Sequence, residues 1–456
     1  MRKSFLIILS LILIISLIIG GIILFSNPKP TPERKILSEG DSNKYVKLSI
    51  ESDYMVLNGT QKVVIIPNKS IPVKLNIFLL SENNKTRVDY NKLDFVITHH
   101  ASHNPNLGDP SKIISIDSEG NLKYLKEGYI SLKVKYSELN FESEEIIIAT
   151  GDIYGNPKTD NVLAVFPKDY APQESSYNFG YMINNYPSYI SVVNIAYNEI
   201  SKLYGGFKPF GGNKQIFALL DLPNHCGGNM NPLETAPCCY MNCNDGSPQY
   251  DVVIHEIGHN FAYSKGMDQL LRAKNDRINS AGFGECVASL PLQYLRAKIL
   301  ENPQNYNIDR NSFEYLNWAS FQNQDNIWNK ERLKRFEGYI NEGSTNGIFD
   351  IDSLTPEKRD SLKGNIGAFC TFFVTPAAYP DEFENSYGWE FYRRFFSFFG
   401  DKELSNFQED KVETYFSAVY SASIGKDMRE KLRFWGFNID DEYFNQIYPQ
   451  LVSSLS

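Results

Sequence analysis

The chain has 456 residues, which is long for one ordinary domain and predicts two or three. Apolar residues make up 42% and charged residues 22%, enough for packed cores, so a wholly disordered chain is excluded. The net charge is −9, which argues against nucleic acid as a partner because a phosphate-binding protein needs a basic face.

The first segment, residues 1–26, predicts a transmembrane helix. Arg2 and Lys3 are positively charged, and residues 4–26 contain no charged side chain. A helix of this length would cross the hydrocarbon core of a bilayer, which is about 30 Å thick. The alternative, a cleaved signal peptide, would have a shorter apolar core and a small-residue cleavage site. We therefore expect a single-pass membrane anchor with the bulk of the chain extracellular.

Residues 27–44 are rich in proline and charge and are typical of a linker. Residues 45–150 then contain short alternating segments separated by turn residues, a pattern that predicts a β-sandwich. Asp117, Gly120 and Gly128 stand at the turns between the last of these segments. This part of the chain resembles bacterial immunoglobulin-like domains, and the resemblance implies a spacer or binding module.

Two features of this segment invite a functional interpretation. The run HHASH at 99–103 contains three histidines, but no carboxylate or cysteine partner is placed by spacing, so an exposed loop is the simpler reading. Three N-x-S/T sequons begin at Asn58, Asn68 and Asn84. They would make the chain a glycoprotein only in a host that glycosylates them.

Residues 151–456 have a mixed texture that predicts an α+β domain whose C-terminal part is mostly helical. The segment QIFALLDL, residues 215–222, is typical of a buried strand, and long helical patterns follow from Val252 onward.

Four cysteines within this domain lie close together, and two more, Cys286 and Cys370, lie further along the chain. An even number of cysteines in an exported protein is typical of disulfides, so the four are disulfide candidates, with a structural zinc site as the alternative. The remaining two could equally be buried free thiols. The four clustered cysteines are Cys226, Cys238, Cys239 and Cys243.

The sequence DVVIHEIGHNF contains His255, Glu256 and His259 in the order H-E-x-x-H. The flanking residues are apolar, which predicts a buried helix. Residues i and i+4 share one helix face, so the two histidines can bind one zinc ion, and Glu256 would lie beside it as the base for a bound water. The alternative is a core helix, but its three polar side chains would be costly to bury without partners.

No histidine follows His259, so the third ligand must be a carboxylate or a cysteine. Glu285 is best placed, because it follows the turn sequence SAGFG and opens an apolar helix. It would complete a His₂Glu set with an open fourth position. Ser289, one turn later, is a candidate to support a ligating histidine, with simple packing as the alternative. The other candidates for the third ligand are Asp268, Asp276 and Cys286.

Four stretches together resemble the enhancin-like, mucin-degrading zinc metallopeptidases. HEIGHNF is similar to the zinc helix of that family, and GECVASLPLQYL is similar to its glutamate helix. The interval between them is longer than in thermolysin or the aminopeptidases. YGWEFYRRFFSFF, residues 387–399, and the Trp-Gly-aromatic turn within 420–444 are similar to later stretches of the family. The resemblance covers about residues 180–445 and implies a zinc cofactor, Zn²⁺, in a glutamate-type zincin domain.

The sequence therefore predicts a multidomain fold: a transmembrane helix, an all-β immunoglobulin-like sandwich and an α+β zincin-type metallopeptidase domain. The predicted function is that of a membrane-anchored extracellular zinc metalloendopeptidase. Its resemblance to the mucin-degrading enzymes implies protein or glycoprotein substrates, such as O-glycosylated surface or mucin-like proteins. Two alternatives stay open, a zinc aminopeptidase-like enzyme of another glutamate-zincin family and a non-catalytic surface adhesion or glycan-binding protein.

Overall fold

The computed structural model describes most of the chain from residue 47 onward. The predicted anchor and linker, within 1–46, and the cysteine cluster, within 219–249, lie outside the described residues. So do two of the predicted sequon positions, Asn68 and Asn84. The described residues are 47–58, 61–66, 73–81, 85–99, 109–137, 141–166, 179–213, 215–218, 250–262, 264–273, 277–311, 330–344, 346–362 and 364–455.

Strands dominate the described chain up to Phe166, and one further strand follows the first long helix. Most are short, and the longest has nine residues. They are β1 Lys47–Glu51, β2 Met55–Asn58, β3 Gln61–Ile66, β4 Val73–Lys74, β5 Asn76–Leu80, β6 Lys85–Arg87, β7 Leu93–His99, β8 Ile114–Ile116, β9 Asn121–Tyr124, β10 Gly128–Tyr136, β11 Phe141–Glu142, β12 Ile146–Thr150, β13 Asp152–Tyr154, β14 Val162–Phe166 and β15 Gln215–Ala218.

These strands form four sheets within the described residues. The largest has the order β11-β10-β12-β3-β2, with β7 also paired to β10; the others are β1-β5-β6, β4-β9-β8 and β13-β14-β15. β12 runs parallel to β3, with Ile147 opposite Val63, and β14 runs parallel to β15. The remaining pairs with a defined register are antiparallel.

The alternation of side chains explains how the strands build a core. On β10, the side chains of Ile130, Leu132 and Val134 are buried. The side chain of Lys135, the residue after Val134, is exposed. Successive side chains of a strand point to opposite faces, so this strand covers a core on one side only. The apolar faces of the strands in 47–150 enclose one hydrophobic cluster.

β12 is buried throughout and therefore shows no such alternation. Ile146 and Ile148 belong to the main cluster of the β region. Ile147 and Ala149 point the other way and pack against Leu163 of β14 in a second, smaller cluster. A continuous apolar run is expected where both faces of a strand are covered.

The predicted fold class is wrong in two respects. An immunoglobulin-like sandwich consists of two antiparallel sheets, whereas the described part of 47–150 forms three sheets, one of which contains the parallel pair β3 and β12. Alternating polarity predicts a strand and its buried face, but it does not determine the partner or direction of pairing. The described fold is therefore one of mixed sheets followed by helices.

The second error concerns the transmembrane helix. No helix of the described residues is long and apolar enough to cross a membrane. The longest, Phe179–Leu203, has 25 residues, but its sequence includes asparagine, glutamate and lysine. The apolar run that motivated the prediction, residues 4–26, lies outside the described residues.

The rest of the described chain is helical apart from turns and short 3₁₀ segments. The helices enclose a large hydrophobic cluster that also includes Val162 and Ala164 of β14. They are α1 Phe179–Leu203, α2 Tyr250–Ala262, α3 Lys265–Leu271, α4 Arg277–Ser280, α5 Phe283–Glu301, α6 Lys330–Asn341, α7 Pro356–Leu362, α8 Gly364–Ala378, α9 Glu390–Phe396, α10 Val412–Ile424, α11 Arg429–Phe434 and α12 Asp441–Ser454.

α10 lies in the centre of this cluster, and all of its residues are buried. Two of its serines are satisfied locally: Ser417 Oγ donates to the carbonyl of Glu413 and Ser423 Oγ donates to that of Val419, both at 2.7 Å. Hydroxyls that bond to a carbonyl one turn back carry no unpaired polar group into the core. A helix with serines can therefore be buried on every side.

The Trp-Gly-aromatic turn, between α11 and α12, makes a close backbone crossing with another part of the chain. Gly436 has φ +95°, and a Cβ there would lie 2.3 Å from the carbonyl oxygen of Asn346. A Cβ on Gly347, with φ +53°, would lie 2.0 Å from the Trp435 carbonyl oxygen. Only glycine fits these two positions, and the Trp435 carbonyl also accepts a hydrogen bond from the Ile348 amide at 3.0 Å.

Candidate metal centre

The H-E-x-x-H sequence lies on α2, as the periodicity predicts. Ile254, Ile257 and Phe261 form the buried side of this helix. The His255 and His259 side chains are partly buried, with exposed fractions of 26% and 17%. Their spacing places them on the same face, one turn apart.

The backbone of Glu256 is part of α2, but its side chain lies outside what the structure describes. Glu256 nevertheless follows His255 directly on the helix. Its proposed role therefore depends on its place in the sequence and on the helix that carries it.

α5 crosses α2 at a point where the two backbones touch. A Cβ on Gly258 would lie 2.3 Å from the carbonyl oxygen and 2.8 Å from the Cα of Ala288. Real side chains do not approach a backbone so closely, so the crossing requires glycine. Glu285 and Ser289 flank Ala288 on α5 as the two histidines flank Gly258 on α2, so the crossing brings both pairs together.

Three ligand atoms converge at this crossing. His255 Nε2 lies 3.1 Å from His259 Nε2, and Glu285 Oε2 lies 3.3 Å from the first and 3.8 Å from the second. Among the described side chains, these are the His, Cys, Asp and Glu groups that could hold a metal together. The structure thus brings together the three residues that the sequence predicts as ligands.

The distances between these atoms fit a tetrahedral zinc ion. Bonds of 2.0–2.2 Å from zinc to nitrogen or oxygen place neighbouring ligand atoms roughly 3.3–3.6 Å apart. The three observed separations bracket that range. The donor types, two imidazoles and a carboxylate, are those of catalytic zinc sites. The residues present therefore fit the ion.

The protonation states of two of these residues also suit a metal. Burial lowers the pKa of His259 to about 4, assisted by the neighbouring His255 and opposed by Glu285. Partial burial raises the pKa of Glu285, but the hydrogen bond from His255 and the charges of both imidazoles outweigh it and lower that pKa to about 2. At neutral pH, His259 is a neutral imidazole and Glu285 a carboxylate, the forms that bind metals.

The other ring nitrogen of His255 is held by a serine. His255 Nδ1 lies 3.1 Å from Ser289 Oγ, which places the predicted supporting residue at the histidine. If Nε2 binds the metal, Nδ1 carries the proton and donates it to the hydroxyl oxygen. Such a partner fixes the tautomer and the ring orientation of a ligating histidine.

Of the other three candidates for the third ligand, two have different partners and one lies outside the described residues. Asp268 on α3 pairs with Arg272, at 2.5 Å between Oδ1 and Nε. Cys286 forms a disulfide with Cys370 on α8, so it offers no thiolate. Asp276 lies outside the described residues, as do His100 and His103 of the histidine-rich run.

The Cys286–Cys370 disulfide is one of two features of this site that the sequence did not single out. It joins α5 to α8 at the residue next to Glu285, across a separation of 84 residues. The other feature is the crossing at Gly258. A glycine inside a helix costs about 1 kcal/mol relative to alanine, so its place between the histidines was a signal of close helix contact.

Comparisons with known proteins add little to this geometry. No protein-family model and no curated protein matches the chain. Two solved structures are similar over 90% of this chain and 71% of theirs, with 11% identity and TM-scores of 0.39 and 0.35. They are described as a functionally unknown conserved protein from Bacillus anthracis str. Ames and a mutant of such a protein. Similarity at this level carries no information about activity.

Proposed function

We propose that the chain is a zinc-dependent metalloendopeptidase. The observation that carries this proposal is the convergence of His255 Nε2, His259 Nε2 and Glu285 Oε2 within zinc-binding distances at the crossing of α2 and α5. These three atoms would hold the ion. When bound, zinc supplies a Lewis acid that lowers the pKa of a water molecule and polarises a carbonyl oxygen.

The exposure of the site supports a catalytic over a structural role. Structural zinc sites close with four protein ligands, whereas catalytic sites use three and keep one position open. Three described side chains converge here, and about half of the Glu285 side chain, 51%, is exposed. A substrate could therefore reach the fourth position from solvent.

Two residues of the chain would have separate roles, one in orienting a metal ligand and the other in proton transfer. Ser289 keeps His255 oriented through its Nδ1, 3.1 Å away. The Glu256 carboxylate would accept a proton from the attacking water and then donate it to the leaving amine nitrogen. Amide hydrolysis needs both transfers, because an unprotonated amine anion is a poor leaving group.

The substrates we propose are extracellular proteins, including glycoproteins of the O-glycosylated or mucin-like kind. The similarity of the zinc and glutamate helices to those of the enhancin-like enzymes suggests this class. The buried Cys286–Cys370 disulfide supports an oxidising compartment, because disulfides are rare in cytosolic proteins.

The test separates metal binding from chemistry with Glu256→Gln, which is nearly isosteric. Zinc content is measured by elemental analysis, and cleavage is followed on glycoproteins and on peptides with free and blocked N-termini. Wild type should bind about one zinc per chain and lose activity to a chelator. The variant should keep its zinc and lose activity by roughly a hundredfold or more, the scale of a positioned acid–base group.

Cleavage at an internal bond of peptides with blocked N-termini would identify an endopeptidase, because an aminopeptidase needs a free N-terminus. A wild-type protein that holds zinc but cleaves nothing in the panel would favour a non-catalytic surface role. A wild-type protein without zinc affinity would refute the metal centre itself.

A further inference from the structure

α5, the helix that carries Glu285, contains a proline in its interior. Pro291 lies eight residues after the start of the helix, within Phe283–Glu301. Proline has no amide hydrogen, so it cannot donate to the carbonyl four residues earlier. That carbonyl belongs to Val287, which lies between Glu285 and Ser289. A buried carbonyl without a partner would destabilise this turn of the helix.

Tyr204 supplies the missing donor from another part of the chain. Its hydroxyl donates to the Val287 carbonyl oxygen at 2.8 Å, and its side chain is buried. Tyr204 directly follows α1, so the bond connects the end of α1 to the turn of α5 that faces α2. Burial raises the pKa of Tyr204 well above its ordinary value, so the hydroxyl remains a donor.

The ring of the same tyrosine contacts the other ligand helix. Its centroid lies 5.3 Å from that of Phe261, which follows His259 by two residues on α2. On its other side the ring stacks on Phe396 of α9, with centroids 4.0 Å apart and planes within 16°. One side chain thus touches both helices of the metal centre, close to the ligands on each.

We propose that Tyr204 is a positioning residue of the metal centre, which holds α5 against α2 by replacing the hydrogen bond that Pro291 cannot make. It binds neither metal nor substrate. Its effect reaches the ligands through Val287, which is two residues from both Glu285 and Ser289. This inference rests on the proposed metal site, because its consequence is the affinity of that site for zinc.

The bond can be removed and restored by separate substitutions. Tyr204→Phe keeps the ring contacts and removes only the hydroxyl, leaving the Val287 carbonyl unpaired. Pro291→Ala introduces an amide that can donate to this carbonyl within the helix. We expect Tyr204→Phe to weaken zinc affinity about tenfold, the low end for residues that support metal ligands. Pro291→Ala in the same chain should return it to within about threefold of wild type, which is about 0.7 kcal/mol at 1.4 kcal/mol per tenfold.

The measurements are the zinc dissociation constant by chelator competition and the visible spectrum of the cobalt-loaded protein, which reports ligand geometry. Thermal unfolding of the metal-free variants checks that each is folded. Tyr294→Phe is the matched control. Tyr294 lies on α5 and is buried like Tyr204, but its hydroxyl donates to the Glu199 side chain, 3.5 Å away. It should leave zinc affinity and the cobalt spectrum unchanged.

The outcomes distinguish failure of the proposed metal centre from failure of the proposed role of Tyr204. If wild type binds no zinc, the metal centre and its positioning residue both fail. If wild type binds zinc and Tyr204→Phe binds it equally well with the same cobalt spectrum, only the role of Tyr204 fails. A loss that Pro291→Ala does not restore would also overturn it, because the carbonyl would then not be the connection.

Discussion

The two helices of the proposed metal centre position their candidate ligands in different ways. α2 presents His255 and His259 through local geometry alone, since residues four apart on any helix share a face. α5 presents Glu285 through contacts made elsewhere: the crossing at Gly258 and the disulfide to α8. Half of the site is therefore encoded in a five-residue motif, and the other half is a product of tertiary structure.

This difference has a consequence for the effects of substitution. A change on α2 that leaves the histidines in place leaves their mutual distance almost unaltered, because the helix itself sets it. A change at the crossing leaves the helices intact but alters the distance between them. The distances from Glu285 to the two histidines, 3.3 and 3.8 Å, are the ones that depend on packing.

The largest effect is expected for removal of the α5 ligand itself. Glu285→Ala should lose both zinc binding and activity, because two histidines alone leave the ion with too few protein bonds. Zinc content after dialysis and cleavage of a protein substrate measure the two losses. Asp268→Ala is the control, since its carboxylate pairs with Arg272 and lies apart from the three ligands. A Glu285→Ala protein with normal zinc content and cleavage would move the third ligand to another residue.

A smaller but still large effect is expected for Gly258→Ala, which tests the crossing without touching a ligand. The new methyl group would meet the Ala288 backbone at 2.3 Å, so the helices must separate by about 1 Å to reach ordinary contact. We expect zinc affinity to fall by more than tenfold and stability to fall by about 1–3 kcal/mol, as in other overpacked cores. Zinc titration and denaturant unfolding measure the two changes.

Gly284→Ala is the matched control for this substitution. It adds the same methyl group to the first turn of α5, next to Glu285, but nothing lies within 4 Å of the new atom. It should keep zinc affinity and leave stability unchanged or raised by less than about 1 kcal/mol, since alanine favours helices. Equal behaviour of the two variants would show that the crossing does not determine the site.

The contrast between the helices also explains how much the sequence could predict. The H-E-x-x-H helix follows from periodicity and the i, i+4 rule, and Glu285 follows from the turn and the apolar helix around it. The structure brings these residues together with Ser289. The disulfide was not predictable, because an even count of cysteines does not select a pairing.

The β region shows the same limit. Alternation in ISLKVKY predicts β10 and its buried face, which the structure has. It does not predict that β12 pairs in parallel with β3, more than eighty residues earlier, because pairing partners depend on contacts between distant segments. Tyr204 is a further case, since its partner Val287 is 83 residues away and the need for it arises at Pro291.

The smallest effect is expected at Ser289, whose hydroxyl makes one hydrogen bond to His255. Ser289→Ala removes the partner of His255 Nδ1 and leaves every ligand in place. A neutral hydrogen bond contributes about 0.5–1.5 kcal/mol net, so zinc affinity should fall by roughly tenfold or less, and activity at saturating zinc should change little. The zinc dissociation constant and the cleavage rate with added zinc measure these separately. Ser361→Ala is the control, since its hydroxyl donates to the Lys358 carbonyl on α7. A Ser289→Ala protein that stays a hundredfold slower when fully loaded with zinc would show that this serine acts in the chemistry and does more than orient a histidine.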